Sequence, residues 1–147
     1  MKQFAALPLA EIARGLRAGA FRARDVIEDV LARSEAAAPC NAFATIDPDH
    51  ARREADAADA AFAAGRDPGP LAGIPVSVKD LLNTKGMRTA WGSRAFADNV
   101  PTTDAAAIAS LRGAGAILYA KTTTPEFGHK IVTDSPLHGI TRNPWNL

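Results

Sequence analysis

Two short apolar runs with a helical pattern between them constrain the fold of this chain more than any other feature. The first run is Ile74–Val78 and the second, Ala116–Ala120, follows a Gly-Ala-Gly stop. The segment between them places Ile108 and Leu111 on one helical face, and Asp104 is suited to the N-cap. Strand, helix and strand of this size form a βαβ unit, which predicts a parallel pair and an α/β sheet.

The residues before this unit show mainly helical patterns. Apolar side chains from Leu9 to Leu16 recur at helical spacing, and Gly19 follows where a helix can stop. A second helix is predicted over Arg24–Ala37, and a short strand over Phe43–Ile46. Asp47 and Pro48 then provide an N-cap and a first helical residue for an alanine-rich helix that runs to Gly65. Pro75 predicts the beginning of a strand or an edge strand, because proline cannot donate to a ladder.

Composition excludes several classes of protein. The chain has 147 residues, 47% hydrophobic and 22% charged, which is typical of a globular chain and about one domain in length. A net charge of +1 gives no one-sided basic surface, so we expect no direct binding to nucleic acid. No apolar stretch predicts a membrane span or a signal peptide, and the single cysteine, Cys40, favours a reduced, cytoplasmic compartment.

Lys79 is the residue whose position best suits chemistry. It ends the first apolar run, where partial burial would lower the pKa of its amine and make it a general base. On position alone, the favoured interpretation is a lysine that leaves the sheet for water and pairs with Asp80, and chemistry needs further support. Ser77 would share a strand face with Lys79, at a spacing that is long for a direct hydrogen bond. The three histidines lack ligand-type spacing, so we predict neither a metal nor a cofactor.

Four blocks of sequence resemble the amidase signature family in order and spacing. They are Leu71–Asp80 (LAGIPVSVKD), Asp104–Ala105 with Leu111–Leu118 (LRGAGAIL), Lys121–Phe127 (KTTTPEF) and Gly139–Asn146 (GITRNPWN). The preceding helices are also similar to the N-terminal region of that family, so the resemblance covers essentially the whole chain. It implies an α/β/α fold with a mixed sheet, in which residues 1–66 are a mainly helical lead-in and residues 67–147 begin the signature core of a single, incomplete domain.

The resemblance also implies an activity, the hydrolysis of small-molecule carboxamides without a cofactor. Family members use a serine nucleophile, a second serine in a cis peptide and a lysine, and the family lysine matches Lys79. As a neutral amine, Lys79 would accept a proton that is relayed from the nucleophile through the second serine. The stretch Glu126–His129 is similar to a segment that lines the acyl side of the family's pocket. Gly128 and His129 are therefore candidate substrate contacts, with a plain loop histidine as the alternative for His129, and Trp91 and Phe127 are expected to be core aromatics.

The sequence departs from the family pattern at its end. In the family, Asn-Pro-Trp-Asn is followed by Gly-Gly-Ser-Ser-Gly-Gly, which carries the second serine, and later by Thr-Gly-Gly-Ser, which carries the nucleophile. Neither motif precedes Leu147. We therefore expect the 147-residue chain alone to be inactive and to aggregate or remain partly folded, because strands and covering helices would be missing.

Two alternatives to a stand-alone amidase remain at this point. One is the A subunit of an aminoacyl-tRNA amidotransferase, which acts with partner subunits, although His129-Lys130 and Thr133-Asp134-Ser135 favour the stand-alone enzyme. The other is a non-catalytic interaction module that docks through the N-terminal helices. The identity of the amide stays open, and so does a homodimer.

Overall fold

The computed structural model describes residues 4–147 and gives an alternation of helices and strands. The longer elements, in chain order, are α1 (Leu9–Arg17), α2 (Ala23–Ala36), β1 (Phe43–Ile46), α3 (Pro48–Ala63), β2 (Pro75–Lys79), α4 (Ala106–Gly113), β3 (Ile117–Thr122), β4 (Asp134–Ser135) and β5 (Gly139–Ile140). Four single 3₁₀ turns lie at Phe4–Ala6, Ala38–Cys40, Arg94–Phe96 and Glu126–Gly128. The predicted helices and strands are therefore confirmed within one or two residues at most ends.

The main sheet has three strands in the order β1-β3-β2. Strand β1 is antiparallel to β3, with Thr45 opposite Lys121 and Ile46 opposite Ala120. The Ile117 N–H donates to the Ile74 carbonyl, and the Asp80 N–H donates to the Thr122 carbonyl, so β2 and β3 run in the same direction. The sheet is thus mixed, as predicted, and Pro75 begins an edge strand. Strands β4 and β5 form a separate two-stranded antiparallel pair.

The chain contains two compact units, of which the first comprises residues 4–33, 47–76 and 110–119. Its core includes aliphatic residues of α1 and α2 and the alanine stripe of α3: Ile12, Leu16, Val26, Ile27, Ala51, Ala55, Ala58 and Ala61. The Asp59 carboxylate accepts the backbone N–H groups of Ala23 and Arg24, at 2.6 and 3.1 Å. This side chain of α3 therefore caps the first turn of α2.

An ion-pair cluster lies beside that cap. The Glu28 carboxylate accepts hydrogen bonds from Arg24 at 2.8 Å and from Arg52 at 2.9 Å. The guanidinium groups of Arg52 and Arg24 lower the pKa of Glu28 to about 2. Ion pairs thus join the charged faces of α2 and α3, whereas the apolar residues of the two helices contribute to the core.

The second unit comprises residues 34–46, 77–109 and 120–147 and consists largely of loops. Its loops are held by side chains that bind backbone groups. The Arg88 guanidinium donates to the Ala44 carbonyl at 2.6 Å and to Thr45 Oγ1 at 3.2 Å. Asn41 donates to the carbonyls of His138 and Ile140, at 2.6 and 3.1 Å. The candidate site lies within this unit. The predicted division at residues 66 and 67 stays a prediction.

Candidate active site

Alternation along β2 separates two sets of polar side chains at the end of the strand. Ser77 and Lys79 are exposed, whereas Val78 and Asp80 are buried. Successive side chains of a strand point to opposite faces, so Lys79 and Asp80 lie on different sides of the sheet. Lys79 is therefore accessible at the carboxyl end of β2, and the partial burial that its position suggested is not observed in the described chain.

Asp80 anchors the loop that follows. Its side chain is almost fully buried, and its oxygens accept the Ala90 N–H at 3.2 Å and the Gly92 N–H at 3.4 Å. The Nε2 atom of His138 lies 3.7 Å from Asp80 Oδ2. A buried carboxylate is stable only where hydrogen-bond donors face it, and the two N–H groups supply them. The alternative in which Asp80 serves mainly to pair with Lys79 therefore has little support.

A second lysine, Lys121 in β3, is fully buried in the same unit. Its Nζ donates to the Leu82 carbonyl at 2.5 Å, to Thr84 Oγ1 at 2.9 Å and to Thr89 Oγ1 at 3.0 Å. Burial lowers the pKa of Lys121 to about 8, and the carboxylates of Asp80 and Asp104 offset part of that change. The two lysines at the ends of neighbouring strands thus have opposite environments.

The turn at Glu126–Gly128 places the two candidate substrate contacts. Gly128 has φ +69°, and a Cβ atom there would lie 2.7 Å from Leu81 Cδ1, so glycine lets this turn pack against the residue two positions after Lys79. His129 is exposed, and its Nδ1 lies 2.6 Å from the Glu126 carbonyl oxygen. The structure therefore brings Gly128 beside the segment that follows Lys79, and it leaves the His129 ring on the surface.

Aromatic residues surround this turn. Trp91 and Phe127 both have positive φ, +52° and +50°, and the Phe127 N–H donates to the Trp91 carbonyl at 2.7 Å. Phe96 makes edge-on contacts with both rings, at centroid distances of 4.8 and 6.0 Å. The Phe127 side chain is 57% exposed, so the expectation that Phe127 is a core aromatic is wrong. Left-handed backbone at bulky residues is strained and is concentrated at functional sites.

Two other kinds of feature are absent from residues 4–147. No group of three or more His, Cys, Asp or Glu side chains there could hold a metal ion. None of the helices in the same range is long and apolar enough to cross a bilayer.

Comparison with known proteins decides the family. The model of the Amidase family matches residues 25–147. The chain belongs to the amidase family. Among curated proteins, this amidase chain is 42% identical over 142 residues to the A subunit of the glutamyl-tRNA(Gln) amidotransferase of Roseiflexus sp. (strain RS-1). That match covers 96% of the chain and 29% of the relative, so the chain spans less than a third of the length of the curated relative.

Solved structures of amidases share the fold. A crystal structure of an amidase superposes with a TM-score of 0.86 at 38% identity, covering 93% of this chain and 31% of that one. Native peptide amidase from Stenotrophomonas maltophilia superposes with a TM-score of 0.88 at 32% identity, covering 97% and 31%. The described residues therefore form part of an amidase domain.

Sequence reasoning found some of these amidase residues and missed others. The position of Lys79 after an apolar run indicated a residue at the strand end, and the structure places it there. Lys121 also follows an apolar run, Ala116–Ala120. The sequence predicted no role for it beyond its place in a block that resembles the family. Its burial depends on Thr84 and Thr89, more than 30 residues earlier. No local pattern predicts such a contact.

Proposed function

We propose that the protein hydrolyses carboxamides through an acyl-enzyme, with Lys79 as the base. Membership in the amidase family supports amide chemistry, and the match of Lys79 to the family lysine supports its role. The observation that carries the proposal is the placement of Lys79. It is exposed at the end of β2, whereas the next residue, Asp80, is buried and anchors the adjoining loop. This position leaves the amine free to meet groups of the rest of the protein, whose packing would supply the burial that a neutral amine needs.

The proposed chemistry requires two serines in addition to Lys79. The nucleophilic serine hydroxyl attacks the amide carbon, and its proton passes through the second serine to the neutral Lys79 amine. The C–N bond then breaks as a proton is delivered to the leaving nitrogen, and water hydrolyses the acyl-enzyme. No serine of this chain lies in either serine motif of the family, so the two groups are expected from the rest of the protein.

Gly128 and His129 are proposed to contact the acyl side of the substrate. The approach of Gly128 to Leu81 supports this assignment, because it places the turn next to the segment after Lys79. The exposed His129 ring is available to a ligand and is not part of the proton relay.

The product of the complete reading frame tests this proposal. Purified protein should release ammonia or amine from a panel of aryl, aliphatic and peptide-like carboxamides. Lys79→Ala should abolish hydrolysis while leaving the circular dichroism spectrum unchanged, because no other group would take the proton. Lys85→Ala is the matched control, since Lys85 is an exposed lysine of the same unit.

Two results would contradict the assignment. Retained hydrolysis in Lys79→Ala would show that Lys79 is not the base. If the wild type hydrolyses no amide, the proposed hydrolase activity is wrong. Sequencing the DNA after codon 147 is a simpler test. An in-frame Gly-Gly-Ser-Ser-Gly-Gly within a few tens of codons is expected.

The A subunit of an amidotransferase is a second candidate function. The observation that favours it is the 42% identity to a protein named as the A subunit of a glutamyl-tRNA(Gln) amidotransferase. This candidate predicts that the complete protein co-purifies with partner subunits and supports the amidation of Glu-tRNA(Gln). Purification as a monomer or homodimer with hydrolase activity alone would favour the stand-alone amidase.

A further inference from the structure

The hydrogen bonds around Lys121 suit its ammonium form. The Thr84 hydroxyl donates its proton to the Leu82 carbonyl at 3.1 Å, and the Thr89 hydroxyl donates to the Met87 carbonyl at 3.2 Å. Each threonine oxygen can therefore only accept from Lys121. With the Leu82 carbonyl, this gives three acceptors for Nζ, and an ammonium carries three donors. A neutral amine has only two donors, so one threonine hydroxyl would have to turn and donate to Nζ instead.

Lys121 is connected to Lys79 through a single residue. The Leu82 N–H donates to the Lys79 carbonyl at 3.1 Å, which closes the turn after β2. The carbonyl of the same Leu82 accepts from Lys121 Nζ at 2.5 Å. Two successive hydrogen bonds thus connect the buried ammonium to the backbone of Lys79.

The far end of the segment is held in the same way. Thr89 binds Lys121 through its hydroxyl, and the next residue, Ala90, donates its N–H to the Asp80 carboxylate. Lys121 and Asp80 are both buried, and Asp104 and His138 also face this pair. The segment Leu82–Ala90 is therefore fastened at both ends by buried groups of opposite charge.

We infer that Lys121 is a positioning residue, which holds the turn after β2 and so sets where Lys79 stands. This inference rests on the proposed function, in which Lys79 acts as the base. Lys121 itself is fully buried, so its proposed role does not include contact with substrate. Its effect on the reaction passes through Leu82, and a displacement of about 1 Å in a catalytic group can slow a reaction about 10²-fold.

The test compares variants of the complete protein. Lys121→Met removes the ammonium and keeps a long side chain. Thr84→Val and Thr89→Val remove one acceptor each and keep the shape, whereas Thr84→Ser and Thr89→Ser keep the hydroxyl. The Thr→Val variants keep the inference testable if Lys121→Met does not fold, and the Thr→Ser variants are the matched controls.

Hydrogen exchange measures how well the backbone amides of the turn after β2 are protected, and it does not depend on enzymatic activity. In Lys121→Met and in the Thr→Val variants, amides of residues 80–90 should exchange roughly tenfold faster or more, because a hydrogen bond from a charged donor is lost. Amides of α3 should be unchanged. Equal increases in the exchange rate of residues 80–90 and of α3, or no increase in either segment, would overturn the inference.

Steady-state kinetics measures the effect on Lys79. In the Lys121→Met and Thr→Val variants, kcat should fall about 10²-fold with KM within about threefold of wild type, and the Thr→Ser variants should keep the wild-type kcat. An unchanged kcat per folded molecule in Lys121→Met would show that Lys121 does not position the base. If the wild type hydrolyses no carboxamide, the proposed function fails, and the exchange measurement still decides whether Lys121 holds the turn.

Discussion

Two glycines with nearly the same backbone conformation offer a direct test of the packing in the second unit. Gly92 has φ +68° and Gly86 has φ +76°, so an alanine at either position has a left-handed backbone, which costs about 1–2 kcal/mol. A Cβ atom at Gly86 would meet nothing within 4 Å. At Gly92 it would lie 2.6 Å from the Thr124 carbonyl oxygen and 3.1 Å from the Pro125 backbone. Overpacking of this kind adds about 1–3 kcal/mol.

Thermal unfolding distinguishes the two substitutions. We expect Gly92→Ala to lower the free energy of unfolding by about 2 kcal/mol more than Gly86→Ala. In a protein of the length of the curated relative, this corresponds to a further decrease in Tm of roughly 2 °C. Circular dichroism of the complete protein gives the unfolding curve, with Gly86→Ala as the control for backbone strain. Equal decreases in Tm would show that Gly92 does not pack against Thr124 and Pro125 as described, and would refute the reasoning.

The remaining predictions concern pH. The pKa of Glu28, about 2 when folded against 4.5 when unfolded, means that its contribution to stability is present above pH 4.5 and is lost as the pH falls toward 2. Glu28→Gln should therefore show a shallower decrease in Tm between pH 5 and 3 than wild type, and equal slopes would contradict this. The pKa of Lys121 is about 8 when folded and 10.5 when unfolded, so between these values the unfolded chain binds more protons and stability rises with pH. Over the whole interval the rise is at most about 3–4 kcal/mol, at about 1.4 kcal/mol per pKa unit. Lys121→Met should lack this rise when Tm is followed from pH 7.5 to 9.5, and parallel curves would disprove the assignment.

Local patterns in the sequence were sufficient for most of the secondary structure. The Asp47 carboxylate accepts the His50 N–H at 2.9 Å, and Pro48 begins α3, as the N-cap pattern predicted. Strand β1 occupies Phe43–Ile46 as predicted, and β2 begins at Pro75. These elements were predictable because capping and proline geometry act between residues that are close in sequence.

The features that depend on distant contacts were not predictable in this way. The burial of Lys121 requires hydroxyls that lie 37 and 32 residues away. The positive φ values at Trp91 and Phe127 accompany a hydrogen bond between these residues, which are 36 positions apart in the chain. Neither residue type favours that conformation on its own. The family resemblance identified Lys79, but the buried groups that support its turn appeared only in the folded chain.

The alternation of exposed and buried side chains in β2 has a consequence for how this segment can vary. Because the period of a strand is two residues, deletion or insertion of one residue between Pro75 and Lys79 would exchange the faces of Lys79 and Asp80. The amine would then enter the buried side, and the carboxylate would leave the N–H groups of Ala90 and Gly92. Single substitutions in β2 therefore leave the faces of the other side chains unchanged. A change of one residue in the length of the strand would both bury Lys79 and release the loop that Asp80 holds.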